Sequence, residues 1–509
     1  MGGECNTLGV MVAVQTIQAG SLPVFTSFRV KQPEAIKGLG LSHSNGRTHG
    51  HANASANGRT HGHANANGRG HGAGNGRANG RGHGHSNGRA GNGKLRKTFF
   101  YHRQNHRNLP HVVKFSGGKS SGMLLFILLE SGMLQAKRGD VVVFNNTSAE
   151  HPETYRFVAT CKEVVEKRYG VPFFLVESCT YEDSLGGVYT RRPSFRLVNS
   201  KPHGEGNPNG YHWRGEVFEE MLSWKTYLPS TLRRTCTQSL KVGVTKYFLL
   251  EWFACKEATE RLGHFGNQRR VELDDLYALH LKNGGGVPRH IFDEKKAFIQ
   301  NMPFVREAQS WTEFTTAPLA HLDDDYLNAG RRGKNALLGE DGVQYLSLIG
   351  LRGDEAKRLA KIALRNDVDA PEYVYAPLGD MGVGTGQVAE FWGRQKWGLA
   401  LNPAHNLGNC TYCFMKGTNK LKQAHAILRD EMSEARRGTP CDIDWWIGVE
   451  KKYGRDLEAE KRVIRADVVN DFIGFFGPQS GFFYDALRKN NASIDGDYPD
   501  EGMPCDCTE

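Results

Sequence analysis

Between His111 and Val176 short apolar runs alternate with longer helical patterns, and this alternation leaves few folds open to the chain. His111 to Phe115 reads as a short buried strand, Ser120 to Leu134 as a buried helix and Val141 to Phe144 as a second strand. Glu153 to Tyr169 has Phe157, Cys161, Val164 and Val165 near helical spacing, and Gly170 followed by Val171-Pro172 supplies its stop. Phe173 to Val176 is then a third strand. A strand-helix-strand-helix-strand succession implies a parallel sheet covered by helices, with ligands at the carboxyl ends of the strands.

The rhythm lapses over residues 251–340, which read as a helical insertion broken at Gly284-Gly285-Gly286, and resumes with Tyr345 to Gly350 as a strand and Asp354 to Leu364 as a helix. The expected fold class is α/β, a Rossmann-like parallel sheet. Five stretches follow: an N-terminal region at 1–98, the first part of the α/β core at 99–250, the insertion at 251–340, the second part of the core at 341–425, and a helical C-terminal region at 426–509 ending in a Cys-x-Cys tail.

The formal net charge of +10 raises nucleic acid as a partner, but its location matters more than its size. Residues 36–97 hold ten Lys and Arg and no Asp or Glu, so the rest of the chain sums to zero. Residues 43–93 are built from Gly, Asn, Arg, His and Ala, with almost nothing apolar to bury, and are expected to be disordered. The basic signal therefore belongs to a tail that touches nucleic acid non-specifically, if at all. Its eight histidines, from His43 to His85, suit loose metal binding, although a solvated linker is the favoured reading. Ten cysteines are too few for a disulfide scaffold and several are closely spaced, which points to metal binding in a reducing, cytoplasmic compartment. No stretch approaches the length of a membrane span.

Between the first strand and first helix lies Ser116-Gly117-Gly118-Lys119-Ser120-Ser121-Gly122. Two glycines let the backbone approach a ligand, while the following helix aims free amides and the positive end of its dipole at the same spot. Ser116, Ser120 and Ser121 add hydroxyls and Lys119 a countercharge, so a polyphosphate or sulfonucleotide is the natural occupant. The four-residue spacer of a Walker loop is missing. A plain strand-to-helix turn with a serine cap would need only one or two of these residues.

This loop resembles the PP-loop of ATP pyrophosphatases and of the phosphoadenosine phosphosulfate reductase family, whose fold is that of the adenine nucleotide alpha hydrolases. Many members carry Asp where this chain has Ser120; phage-type relatives carry a hydroxyl residue there. Further elements arrive in the family's order. Phe144-Asn145-Asn146-Thr147-Ser148-Ala149-Glu150-His151-Pro152-Glu153-Thr154 is similar to the segment after the second strand, and the resemblance adds Asn146, Thr147 and Glu150 to the nucleotide site. Leu351-Arg352-Gly353-Asp354-Glu355-Ala356-Lys357-Arg358 resembles a later motif in which paired arginines hold phosphate or sulfate oxygens. Lys357 reads better as part of a charge lattice on a helix face.

Arg233-Arg234-Thr235-Cys236 and Gly408-Asn409-Cys410-Thr411-Tyr412-Cys413 are the sharpest chemical signals after the loop. A C-x-x-C turn spaces two thiolates for one tetrahedral metal or one cluster edge, and nearby Arg and Lys favour the thiolate. Cys236, Cys410, Cys413 and a tail cysteine, Cys505 or Cys507, complete four sulfur ligands. Relatives bind a 4Fe-4S cluster through a Cys-Cys pair and a distant C-x-x-C; Thr235 stands where the first of that pair would be. Zinc on the same ligands is the alternative, and a redox pair at Cys410 and Cys413 comes third. Cys161 and Cys255 read as small core hydrophobes.

The resemblance implies an enzyme binding ATP or phosphoadenosine phosphosulfate and carrying out sulfur reduction or transfer, with Lys119, Arg352 and Arg358 neutralising oxyanions, Cys507 as thiol nucleophile and a thiol or thioredoxin-like electron donor. Family reductases carry a Glu-Cys-Gly tail motif where this chain has Cys-Asp-Cys. An ATP-dependent adenylating and thiolating transferase is the second expectation, and a non-catalytic nucleotide-binding protein the third.

Overall fold

The computed structural model describes residues 101–183, 190–231, 233–254, 270–303, 307–320, 344–365, 371–460 and 471–489. The expected tail at 1–98, Cys255, Cys505 and Cys507 lie outside these residues.

A seven-stranded sheet organises the described chain. Its strands are β1 (His111–Lys114), β2 (Val141–Asn146), β3 (Phe173–Asp183), β4 (Thr190–Pro202), β5 (Gly210–Tyr211), β6 (Tyr345–Ile349) and β7 (Glu372–Tyr375), in the order β5-β4-β3-β2-β1-β6-β7. All neighbours are parallel except β3 and β4. The sheet is thus mostly parallel, as the alternation predicts, but β3 runs on to Asp183 and turns back through an antiparallel β4 that the sequence reading does not contain.

Both faces of the sheet are covered at its centre, which is why β1, β2, β6 and the start of β3 read as apolar runs. Val113, Val142 and Phe144 pack into the core that holds the first two helices, whereas Val112, Val141 and Val143 face the opposite way, toward Phe248, Trp252 and Trp311. Helix α1 (Lys119–Glu130) is apolar around its whole circumference because it is enclosed; Met123 through Leu129 are all buried. Helix α2 (Pro152–Tyr169) starts at His151, whose Nδ1 accepts the amide of Glu153 at 3.2 Å, and stops at Gly170 with φ +63°.

Beyond the sheet, α3 (Glu216–Lys225) precedes a helical stretch made of Thr235–Thr237, a π-helical turn at Gln238–Val242 and α4 (Gly243–Trp252). Two helices, α5 (Leu273–Lys282) and α6 (Arg289–Gln300), flank the three-glycine break. The later chain adds α7 (Ala356–Arg365), α8 (Thr385–Gly393), α9 (Thr418–Asp430) and α10 (Ile443–Tyr453). Among the described residues no helix is long and apolar enough to cross a membrane.

Candidate functional site: a cationic cleft beside a cysteine cavity

The loop from β1 into α1 is shaped by two close approaches. Gly117 has φ +73°, and a Cβ there would lie 2.7 Å from Cγ2 of Thr154. Gly350, at the end of the adjacent β6, sits so close to α1 that a Cβ would lie 2.7 Å from both N and Cα of Ser121. Gly117 thus lets the loop close over the Thr154, Phe144 and Val158 side chains, and Gly350 lets backbone meet backbone at the carboxyl edge of the sheet. Ser116 and Ser121 fix the loop from inside: their hydroxyls are 3.0 Å apart, and that of Ser121 also donates to the carbonyl of Gly118 at 3.0 Å. Among the described residues nothing accepts the amides of Gly118, Lys119 and Ser120, which open the helix.

Arg352 reaches this helix start from the loop after β6. Its Nη1 donates to Oγ of Ser120 at 3.1 Å and its Nε to Asp354 at 2.9 Å, and Asp354 in turn accepts the amide and hydroxyl of Thr385 at 2.9 and 2.7 Å. Glu355 organises both arginines of the motif, accepting the Arg352 amide at 2.9 Å and Nη1 of Arg358 at 2.5 Å. Lys357 is exposed. From the other side, Nε1 of Trp392 donates to the Lys119 carbonyl at 2.7 Å, tying α8 to α1.

These elements enclose a cleft of about 420 Å³. Ser116, Gly118, Lys119, Ser120, Ser121, Arg352 and Arg358 line it, as do Lys416 and Lys420, which the sequence reading does not select. Five cationic side chains thus face one carboxylate, Glu355. Leu351, Val388, Leu399, Leu401 and Pro403 give the cleft an apolar portion. A site with hydrogen-bonding amides, cations and an apolar wall suits a ligand with an anionic end and a flat apolar end. Burial pushes the Lys119 ammonium below its usual range.

Asn146, Thr147 and Glu150 do not line this cleft. Asn146 is fully buried and committed within the protein: its Nδ2 donates to Glu177 at 2.6 Å and to the His212 carbonyl at 2.7 Å, and its Oδ1 accepts from the Ser148 amide and the Tyr155 hydroxyl. Glu153 pairs with Arg156 at 2.7 Å. Thr147 belongs to a different place, and Glu150 is its hydrogen-bond partner. The Thr147 hydroxyl donates to Glu150 at 3.2 Å and lies 3.4 Å from Sγ of Cys410, while the Thr411 amide donates to the Ala149 carbonyl at 3.0 Å.

That place is a second, apolar cavity of about 20 Å³, lined by Thr147, Phe218, Cys236, Leu240, Cys410, Cys413, Phe414 and Trp446 among others. Chain segments more than 170 residues apart thus bring three of the four selected cysteines around one space. The donor chemistry fits a soft metal. The arrangement falls short of a closed site, because among the described residues no group of three or more His, Cys, Asp or Glu side chains is set to hold a metal ion. Tyr484, whose hydroxyl donates to the Tyr412 carbonyl, lies near these thiols; burial first, then the neighbouring Cys413, raises its hydroxyl pKa far above the ordinary value. Cys161 and Cys441 lie in the core, where burial raises both thiols, Cys441 to about 12.

The segment 408–416 borders both spaces: Gly408, Asn409 and Lys416 face the cleft, while Cys410, Cys413 and Phe414 face the cysteine cavity. No protein-family model, curated protein or solved structure matches this chain.

Proposed function

We propose that this protein is a PP-loop enzyme of the phosphoadenosine phosphosulfate reductase type, which holds an adenine nucleotide at the start of α1 and carries out sulfur reduction or transfer beside it. The observation that carries the reading is the cleft itself, in which the loop, Lys119, Arg352 and Arg358 share one space that borders the cysteine cavity through segment 408–416. The open amides of α1 and the three cations neutralise the phosphate and sulfate oxygens. Arg352 also orients the Ser120 hydroxyl toward the same ligand.

In the reductive version the Cys507 thiolate attacks the substrate sulfur, the nucleotide phosphate leaves, and a dithiol donor releases sulfite by exchange, becoming a disulfide. Cys236, Cys410 and Cys413, with Cys505 as fourth ligand, would hold a 4Fe-4S cluster or zinc; such a centre supplies positive charge or electrons next to the substrate.

The test uses full-length protein purified without oxygen. Thiol-dependent sulfite release from phosphoadenosine phosphosulfate supports the reductase reading. Acceptor-dependent pyrophosphate release from ATP would move the assignment to a thiolating transferase. Nucleotide binding with neither turnover would leave a non-catalytic binding protein.

A further inference from the structure

Outside the N-terminal tail the chain is electrically neutral, and α3 itself carries Glu216, Glu219 and Glu220, yet the positions just before it, at its end and after it are cationic. Three cation-on-ring pairs occur there within 21 consecutive residues: Arg214 lies 5.4 Å from the Trp213 ring centre, Lys225 3.7 Å from that of Trp224, and Arg233 4.8 Å from that of Tyr227. Lys296, from α6, joins them by donating to the Trp224 carbonyl at 2.8 Å. Arg214 and Arg233 are exposed; Lys225 and the three aromatic rings are half-buried.

Surface cations elsewhere are commonly neutralised, as in Arg156 with Glu153, Lys167 with Glu163 and Arg394 with Glu390. Among the described residues, by contrast, no carboxylate lies within 4.0 Å of the charged side-chain groups of Arg214, Lys225, Arg233 or Lys296, although the Arg214 backbone amide donates to Glu216 at 2.7 Å. Burial first, with the Arg191 and Lys225 charges adding to it, pushes Lys296 down to about 8. Helix α3 spans about 15 Å, so the pairs at its two ends form an extended belt and not a single-ion pocket.

We propose that this belt binds single-stranded nucleic acid, with Arg214, Lys225 and Arg233 on phosphates and the Trp213, Trp224 and Tyr227 rings stacking on bases. Unpaired cations spaced along a surface match a polyphosphate backbone, and flat aromatic faces beside them offer what a base needs and an acidic peptide does not. The belt also adjoins the chemistry: Phe218 of α3 lines the cysteine cavity, and Arg233 stands three residues before Cys236. A bound strand would run past that cavity.

Fluorescence polarisation of a labelled single-stranded oligonucleotide, titrated with full-length protein over a range of salt, tests the proposal. The basic tail contributes equally to wild type and variants, so differences report the belt. Replacing Arg214, Lys225 and Arg233 together by Gln is expected to weaken binding at least about tenfold at moderate salt and to make the log–log salt slope shallower by about 2, the value for three phosphate contacts on a single strand. The Arg214→Lys, Arg233→Lys variant should keep the wild-type slope, which separates lost charge from lost fold. Trp224→Leu should weaken binding with the slope unchanged, as a stacking contact requires. Coincident curves for wild type and the triple Gln variant would overturn the proposal. So would a labelled polyglutamate that outcompetes the oligonucleotide, which would assign the belt to an acidic protein partner.

Discussion

The Arg352 guanidinium, on the loop that leaves β6, donates to the Ser120 hydroxyl in the first turn of α1 across 3.1 Å. Residues 232 positions apart in sequence are thereby joined at the carboxyl edge of adjacent parallel strands, where a sheet of this kind binds its ligand.

Removing this arm should weaken nucleotide binding. Arg352→Ala is expected to lose about 1.5–3 kcal/mol of charge-assisted hydrogen bonding, or roughly tenfold to a hundredfold in affinity. Arg352→Lys should fall between, since an ammonium keeps the charge but not the planar fork that reaches Ser120 and Asp354 together. Calorimetric titration of the variants with ATP and phosphoadenosine phosphosulfate provides the check.

Gly350 is expected to tolerate no side chain. A methyl group there meets the backbone of Ser121, which cannot swing aside as a side chain tip would, so Gly350→Ala must displace the start of α1. A loss of about 1–3 kcal/mol in stability, read by urea unfolding, should accompany weaker nucleotide binding. Full stability with full affinity would mean that the strand and helix are not in the contact described.

Two buried carboxylates give stability opposite pH dependences. Among the described residues Glu450 accepts the Phe475 and Tyr484 amides, at 3.1 and 2.8 Å, and burial pushes its carboxyl up to about 7. The folded protein then binds more protons than the unfolded chain between about pH 4.5 and 7, so stability falls by about 3 kcal/mol as pH rises through that window. Burial would also raise Glu177, but the adjacent His212 and Arg196 overcome it and hold the carboxyl at about 2. Its contribution is present above about pH 4.5 and is lost as pH falls toward 2. Unfolding curves for Glu450→Gln should therefore lose the decline between pH 5 and 7. Glu177→Ala should cost about 3–5 kcal/mol at neutral pH, because Arg196 and His212 are left without their buried partner.

The cysteine cavity makes a compositional prediction. Iron, zinc and sulfide analysis of anaerobically purified protein should find a centre that is lost in both Cys236→Ser and Cys413→Ser, with a coloured protein for a cluster and a colourless one for zinc. Equal metal content in wild type and both variants, with all three thiols open to alkylation, would leave the cavity a packing feature.

How far the sequence revealed these features depended on whether the signal was local. The alternation from His111 to Val176 was legible because each strand is buried on both faces and each helix carries its own stop, as at Gly170. The glycine-serine loop at the start of α1 and the shared position of Cys236, Cys410 and Cys413 were legible as motifs, because both signals are local runs of unusual residue types. Asn146 shows the limit. A polar residue at a strand end suits a ligand as well as an internal network, and only the fold brings Glu177 and His212 onto its amide. Lys416 and Lys420 escaped notice because a lysine after a cysteine turn or on a helix looks like any surface charge until α9 is placed beside α1 at the cleft. The antiparallel β4 was hidden by the masking effect of its own polarity: Arg191 and Arg196 are partnered by Glu182 and Glu177 across the sheet, Asn199 by Asn207 in the next turn, and none of them reads as buried strand.

Titration calorimetry of the intact protein with adenosine phosphates and sulfates, beside Lys119→Ala, tests the central claim most directly. Saturable binding of ATP or phosphoadenosine phosphosulfate at one site per chain, weakened at least about tenfold by the substitution, is the expected result. Heats indistinguishable from dilution for every adenine nucleotide, in a protein shown to be folded, would contradict it.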